Sequence, residues 1–198
     1  MIGVEQSVII AGFGGQGILF AGQVLAHAAM YESREVLWIP SYGPEMRGGT
    51  ASCTVIVGDE PIGSPVVDRP DAVIVLNPPS LVKYGPRVVP GGVVVVNDSL
   101  VEATAGRADV DEVRVSCTKL AGQAGDDRVV SIVALGAYVA RTRIVEPATI
   151  HDVLRDLLTV KRPKVLAADL AAFDAGHAAA GPRAGATRRG SVAAASAG

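Results

Sequence analysis

The chain has 198 residues, 49% of them hydrophobic and only 4% aromatic, with 23 glycines and a formal net charge of −2. That length suits one domain of roughly 150–200 residues with short extensions, and its core has to be filled largely by small side chains. Nothing basic is concentrated enough for nucleic acid or an anionic membrane surface, no apolar run reaches about 18 residues, and MIGVEQSVIIAG has neither a basic lead nor a cleavage motif, so a cytoplasmic protein is expected.

In chain order, the apolar run at residues 8–11 predicts a buried strand, and ILFAGQVLAHAAM at 18–30 a helix that is apolar almost all round. Such a helix needs cover on several sides, part of it expected from another chain. A short strand follows at 36–39, ending at Pro40, and ASCTVIV at 51–57 is a third, turned by GDEP at 58–61. The continuous apolar runs at 71–76 and 93–96 suit strands buried on both faces of a sheet, with a short helix at 80–84 between them. Residues 113–116 form the last expected strand. Helical spacing then takes over at 119–124, 129–141 and 147–158, with GDD at 125–127 as a break and Pro147 as a start signal. The alternation predicts an α/β protein, a three-layer α/β/α Rossmann-like sandwich with a mostly parallel sheet and a helical C-terminal third. Residues 1–176 are read as the domain. From Gly181 to the end (181–198) large apolar residues are lacking apart from Val192, and a disordered tail is expected.

Two stretches call for more than framework. In VIIAGFGGQGILFAG, Gly12, Gly14 and Gly17 fit G-x-G-x-x-G between a strand and a helix, the context in which backbone amides cradle a phosphate. Gly12, Gly14, Gly15, Gln16 and Gly17 are therefore candidate ligand-binding residues. The same glycines would equally permit close strand-to-helix packing with no ligand. A dinucleotide site wants an acid at the end of the second strand, which here reads WIPSYG, and a Walker A loop wants Lys-Ser or Lys-Thr where Ile18 and Leu19 stand. A nicotinamide-dependent dehydrogenase is disfavoured on that ground; a free-standing nucleotide- or phosphate-binding regulatory module remains open. The second stretch, SYGPEMRGGTASC, crowds Tyr42, Glu45 and Arg47 with Gly48, Gly49 and Thr50 into a loop that glycine and proline keep from being helical. Arg47 is a planar donor suited to a carboxylate or phosphate.

Cys53 and Cys117 lie far apart and lack neighbours at metal-ligand spacing, so two buried reduced thiols are expected; two thiolates cannot supply the four that an ordinary iron–sulfur cluster takes. His27 reads as a packing residue on an apolar helix, and His151 and His177 are isolated in sequence.

Taken together, AGFGGQGILFAGQVLA (11–26), SYGPEMRGGTASCTVIV (41–57), DAVIVLNPPSL (71–81), GGVVVVNDSL (91–100) and VALGAYV (133–139) resemble the gamma subunit, or gamma domain, of 2-oxoacid:ferredoxin oxidoreductases, most closely the 2-oxoglutarate branch. The resemblance reaches to about Gly176. It implies an assembly that makes an acyl-CoA and carbon dioxide from a 2-oxoacid and coenzyme A and reduces ferredoxin. In it, alpha and beta subunits, with delta as a further candidate, hold thiamine diphosphate, magnesium and the iron–sulfur clusters, and this chain alone binds none of them and is inert. It further implies that the glycine loop contacts the coenzyme A pyrophosphate and that the loop bearing Arg47 faces the cofactor-bearing subunits. Larger relatives carry hydroxyl and lysine side chains just after the glycines, where Ile18 and Gln23 stand here, which leaves the work to backbone amides or to another subunit.

Overall fold

The computed structural model describes residues 5–41, 50–158 and 163–181. Its elements are β1 (Glu5–Phe13), α1 (Ile18–Tyr31), β2 (Glu35–Ser41), β3 (Thr50–Gly58), β4 (Ala72–Val75), α2 (Pro78–Tyr84), β5 (Val93–Asn97), β6 (Asp111–Val115), α3 (Cys117–Gln123), α4 (Val130–Thr142), α5 (Pro147–Leu158) and α6 (Pro163–Ala180). Short 3-10 turns at Gly85–Arg87 and Asp127–Val129 follow α2 and precede α4. Six strands make one mixed sheet in the order β2-β3-β1-β4-β5-β6. β1, β4, β5 and β6 are parallel neighbours, whereas β3 runs antiparallel to both β1 and β2. Five strands thus point one way, as the mostly parallel expectation requires.

The faces of the sheet are covered unequally. Val8, Ile10, Val55, Ile74, Val95 and Val113 face the large core shared with α1, α4 and α5. Ile9, Ala11, Val73, Val75, Val94 and Val96 face a smaller one closed by Leu81 and Tyr84 of α2 with Val88 and Val101. Alternate residues of one apolar run therefore serve opposite cores, which is why β4 and β5 carry no polar residue within AVIV and VVVV. The sandwich has its three layers, the second helical layer being thin.

Three details depart from the sequence reading. β2 does not stop at Pro40 but continues to Ser41, pairing Pro40 with Cys53; as the edge strand it tolerates a residue without an N–H. α1 finds its cover within the chain, between β1, β2 and β3 on one side and α4 and α5 on the other, with Val24, Leu25, Ala28 and Ala29 wholly buried. Its exposed large apolar residues are confined to its last turn, Met30 and Tyr31; Phe13, Trp38 and Val82 are exposed elsewhere. The third departure is α6, which the reading missed. This helix packs across α4, and a Cβ on Gly176 would collide with the Val133 carbonyl, as one on Gly136 would with that of Phe173. Its boundary signals are present nonetheless: Pro163 in the first turn and, directly after it, Gly181 at φ +61°. The expected tail lies, but for Gly181, outside the described residues. No helix among the described residues is long and apolar enough to cross a membrane.

Replacing Gly136 or Gly176 with alanine forces α4 and α6 apart and should cost about 1–3 kcal/mol. Urea unfolding of each variant measures this; an unchanged midpoint would remove the crossing from the account.

Candidate functional site

The strand order reverses between β1 and β4, and a crevice at the carboxyl ends of parallel strands at such a point is the usual ligand position of open α/β sheets. The glycine loop sits there, and its glycines divide by task. A Cβ on Gly12 would lie 2.5 Å from Gln16 Oε1 and 2.9 Å from Leu76 Cβ, so packing alone dictates that glycine. Gln16 folds back into the loop: its Oε1 accepts the Phe13 N–H at 2.6 Å and its Nε2 donates to the Leu76 carbonyl at 3.5 Å, tying β1 to the end of β4. Gly17, the N-cap of α1, has φ +79°, and a Cβ there would meet Ser131 Oγ at 2.6 Å. That hydroxyl is buried and has no hydrogen-bond partner among the described residues. Gly15 differs from both: φ is +97°, yet among the described residues a Cβ would find nothing within 4 Å. Gly14 and Gly15 are exposed. No side chain among the described residues caps α1, which leaves its first amides and their partial positive charge for an anion.

Beside the loop opens a cleft of about 460 Å³. Gly15, Gly17, Phe20 and Gln23 form one side; the 3-10 turn at Asp127–Val129, the end of α5 and the start of α6 form the other. Arg128 stands at this cleft, its side chain 73% exposed. The guanidinium is forked onto Asp126, with Nε to Oδ1 at 2.9 Å and Nη2 to Oδ2 at 2.7 Å, while Asp126 Oδ1 also accepts the Arg128 N–H at 2.9 Å. The side-chain bonds first, then that backbone bond, hold the Asp126 carboxyl down at about 2. Sequence reasoning missed Arg128, because an exposed arginine in GDDR reads as surface. The only available signal was the Asp-x-Arg spacing on a turn that asparagine or aspartate caps.

Along the same carboxyl edge, Asn77 accepts the Ser80 N–H at 2.9 Å to cap α2, and Asn97 donates to Thr118 Oγ1 at 3.1 Å. Asn77 Nδ2 and Ser80 Oγ are buried without a hydrogen-bond partner among the described residues. The sheet register also joins the two stretches singled out in the sequence: Thr50 pairs with Phe13 and Ser52 with Ala11, so β3 enters beside the glycine loop. Thr50 is exposed there; Tyr42, Glu45, Arg47, Gly48 and Gly49 lie outside the described residues.

The remaining candidates are structural. Both cysteines are buried, and burial pushes the Cys53 thiol up to about 12 and the Cys117 thiol higher still. His27 is half-buried on α1. His151 and His177 come together around Phe173, His151 also bonding Asp174 at 2.7 Å. Among the described residues no three His, Cys, Asp or Glu side chains are grouped to hold a metal ion.

Fold and loop together define a Rossmann-like α/β domain with an amide-lined glycine turn at its switch point. Residues 7–179 match the model of the pyruvate ferredoxin/flavodoxin oxidoreductase family, and the chain belongs to that family. It is 34% identical over 184 residues to the 2-oxoglutarate synthase subunit KorC of Methanothermobacter thermautotrophicus, covering 89% of this chain and 96% of KorC. It is 44% identical over 136 residues to the ketoisovalerate oxidoreductase subunit VorA of the same organism, covering 69% of this chain but 28% of VorA, so it corresponds to under a third of that longer protein. Among solved structures, the gamma subunit of a keto/oxoacid ferredoxin oxidoreductase from Geobacter sulfurreducens superposes with a TM-score of 0.77 at 28% identity, covering 88% of this chain and 98% of that one. The 2-oxoglutarate:ferredoxin oxidoreductase of Magnetococcus marinus, solved with 2-oxoglutarate, coenzyme A and succinyl-CoA bound, gives 0.80 at 26% identity over 89% of this chain and 31% of that chain.

Because thiolate is the reactive form and both thiols are held protonated, a thiol-specific disulfide reagent at pH 8 should leave the folded chain unmodified and titrate both cysteines in denaturant. Rapid native labelling would mean that one of them is open to solvent.

Proposed function

We propose that this chain is the gamma subunit of a cytoplasmic, multi-subunit 2-oxoacid:ferredoxin oxidoreductase acting on 2-oxoglutarate. Partner alpha and beta subunits, with delta as a further candidate, carry thiamine diphosphate, magnesium and the iron–sulfur clusters, and the complex passes electrons to ferredoxin. The contribution of this chain is assembly and a contact to coenzyme A. The observation that carries the reading is Gly15: an exposed glycine of positive φ with open space over its α-carbon, next to the uncapped start of α1. A diphosphate placed there would accept backbone amides and meet the positive end of the helix dipole. Further support comes from the M. marinus relative, which was solved with coenzyme A and succinyl-CoA bound.

In the complex purified with its partners, Gly15→Val puts a branched side chain into that space and strains the turn. The KM for coenzyme A should rise about tenfold or more, the loss of a charge-assisted hydrogen bond, while the KM for 2-oxoglutarate changes little. Equal changes in both constants would reduce the glycine to a packing element.

The segment between β2 and β3 is assigned to the subunit boundary, with Arg47 pairing a carboxylate or phosphate across it. The support is chemical and topological: Tyr42, Glu45 and Arg47 are directional groups on a chain segment whose return strand pairs with the residue leading into the glycine turn. Arg47→Ala should lower recovery of the complex in co-purification by about 2–5 kcal/mol of affinity if the pair is desolvated, with lysine rescuing only in part. Wild-type recovery and turnover would place Arg47 in solvent.

A further inference from the structure

The thinly covered face of the sheet has an outer surface of its own. α2 turns Leu81 and Tyr84 inward and leaves Pro78, Pro79 and Val82 exposed, with Val82 76% exposed. Pro78, Val82 and Pro86 follow one another at steps of four, so they fall on one side of α2 and of the 3-10 turn that continues it. Arg87 donates to the carbonyls of Val67 at 3.0 Å and Asp68 at 2.8 Å, which holds Pro65 and Val66 beside that turn. Both are exposed, Val66 to 71%. This strip is apolar yet serves no core. Proline has no rotamer freedom to lose on burial and no N–H to desolvate, and valine has a single side-chain torsion, so covering the strip costs little entropy. Rigid apolar surface of this kind favours association.

Charge narrows the occupant. Lys83 and Arg87 stand over the Tyr84 ring, at 4.9 and 5.7 Å from its centre, and Asp68 answers Arg87 at 3.8 Å. Lys83, next to Val82, therefore favours a carboxylate on whatever covers the strip. A second copy of the chain fits poorly, because a two-fold axis through Val82 would bring two Lys83 side chains together. Another occupant is at hand: the matched region makes up 28% of VorA and 31% of the M. marinus chain, so most of each polypeptide lies outside it. On the reading of this chain as a gamma subunit, the counterpart of that remainder is a separate subunit. We propose that the strip along Pro78, Val82 and Pro86, widened by Val66, docks such a partner subunit, which meets it with an apolar segment and sets a carboxylate against Lys83. The inference rests on the subunit reading and is independent of both the glycine loop and Arg47.

The test is recovery of the full chain on a tagged partner subunit after co-expression of the complex, with thermal unfolding of each isolated variant alongside. Val82→Glu sets a carboxylate in the strip and should lower recovery about tenfold or more, whereas Val82→Leu keeps the strip apolar and should recover like wild type. Lys83→Glu should lower recovery by a similar factor, and Lys83→Arg should not. Both positions are exposed, so the unfolding midpoints should stay with wild type. Met30→Glu, at an exposed apolar residue of α1, is the control and should assemble normally. If Val82→Glu and Lys83→Glu both recover at the wild-type level, the strip faces solvent and the proposal falls. An equal loss from Met30→Glu would overturn it too, since any added charge would then disturb assembly. A dimer of the isolated chain that Val82→Glu dissociates, with recovery on the partner unchanged, would give the strip to a second copy instead. A wild-type chain recovered with no partner removes the subunit reading itself, which is a different result from normal assembly that ignores the strip.

Discussion

The arrangement depends on two missing β-carbons. At Gly12 a side chain would strike Gln16, Ile18 and Leu76, and at Gly17 it would strike Ser131. The first absence lets β1 run against the end of β4 with Gln16 bridging them; the second lets α1 start hard against the beginning of α4. Position, direction and the uncapped state of the α1 N-terminus all follow from these contacts. Gly15 lies between them, outside the G-x-G-x-x-G spacing, and its bareness is required by no described neighbour. Gly12 and Gly17 are thus explained by packing, and Gly15 leaves space that packing among the described residues does not use.

How much of this was legible depends on where the determining contacts lie. β4 and β5 were readable because runs of valine, isoleucine and alanine with turn signals at each end suit few structures except a strand buried on both sides. α5 was readable to the residue, since Pro147 opens it and its apolar positions Ile150, Val153, Leu154 and Leu158 keep helical spacing. The place of β3 was not readable. CTVIV has the same character whether its neighbours run parallel or antiparallel, and only the pairing with both β1 and β2 makes it the inserted strand. α6 was obscured by its own packing: alanine and glycine, which permit the crossing with α4, also blur the apolar stripe that betrays a helix.

The candidate site divides in the same way. The glycine turn is local in sequence, so its motif is visible without a structure. The cleft is not local: its sides come from α1, from the turn before α4, and from α5 and α6, separated in the chain by about a hundred residues or more. No spacing rule links Phe20 to Leu157 or Gly15 to Arg128. They meet because α1, α4, α5 and α6 stack on one face of the sheet while, among the described residues, the other face carries α2 and short connections. That asymmetry gives the C-terminal third its place at the cleft. The helices that look in sequence like an appended framework complete the space beside the glycine turn. They also bring to the turn a planar cation already held by its own carboxylate, where the loop supplies amides alone.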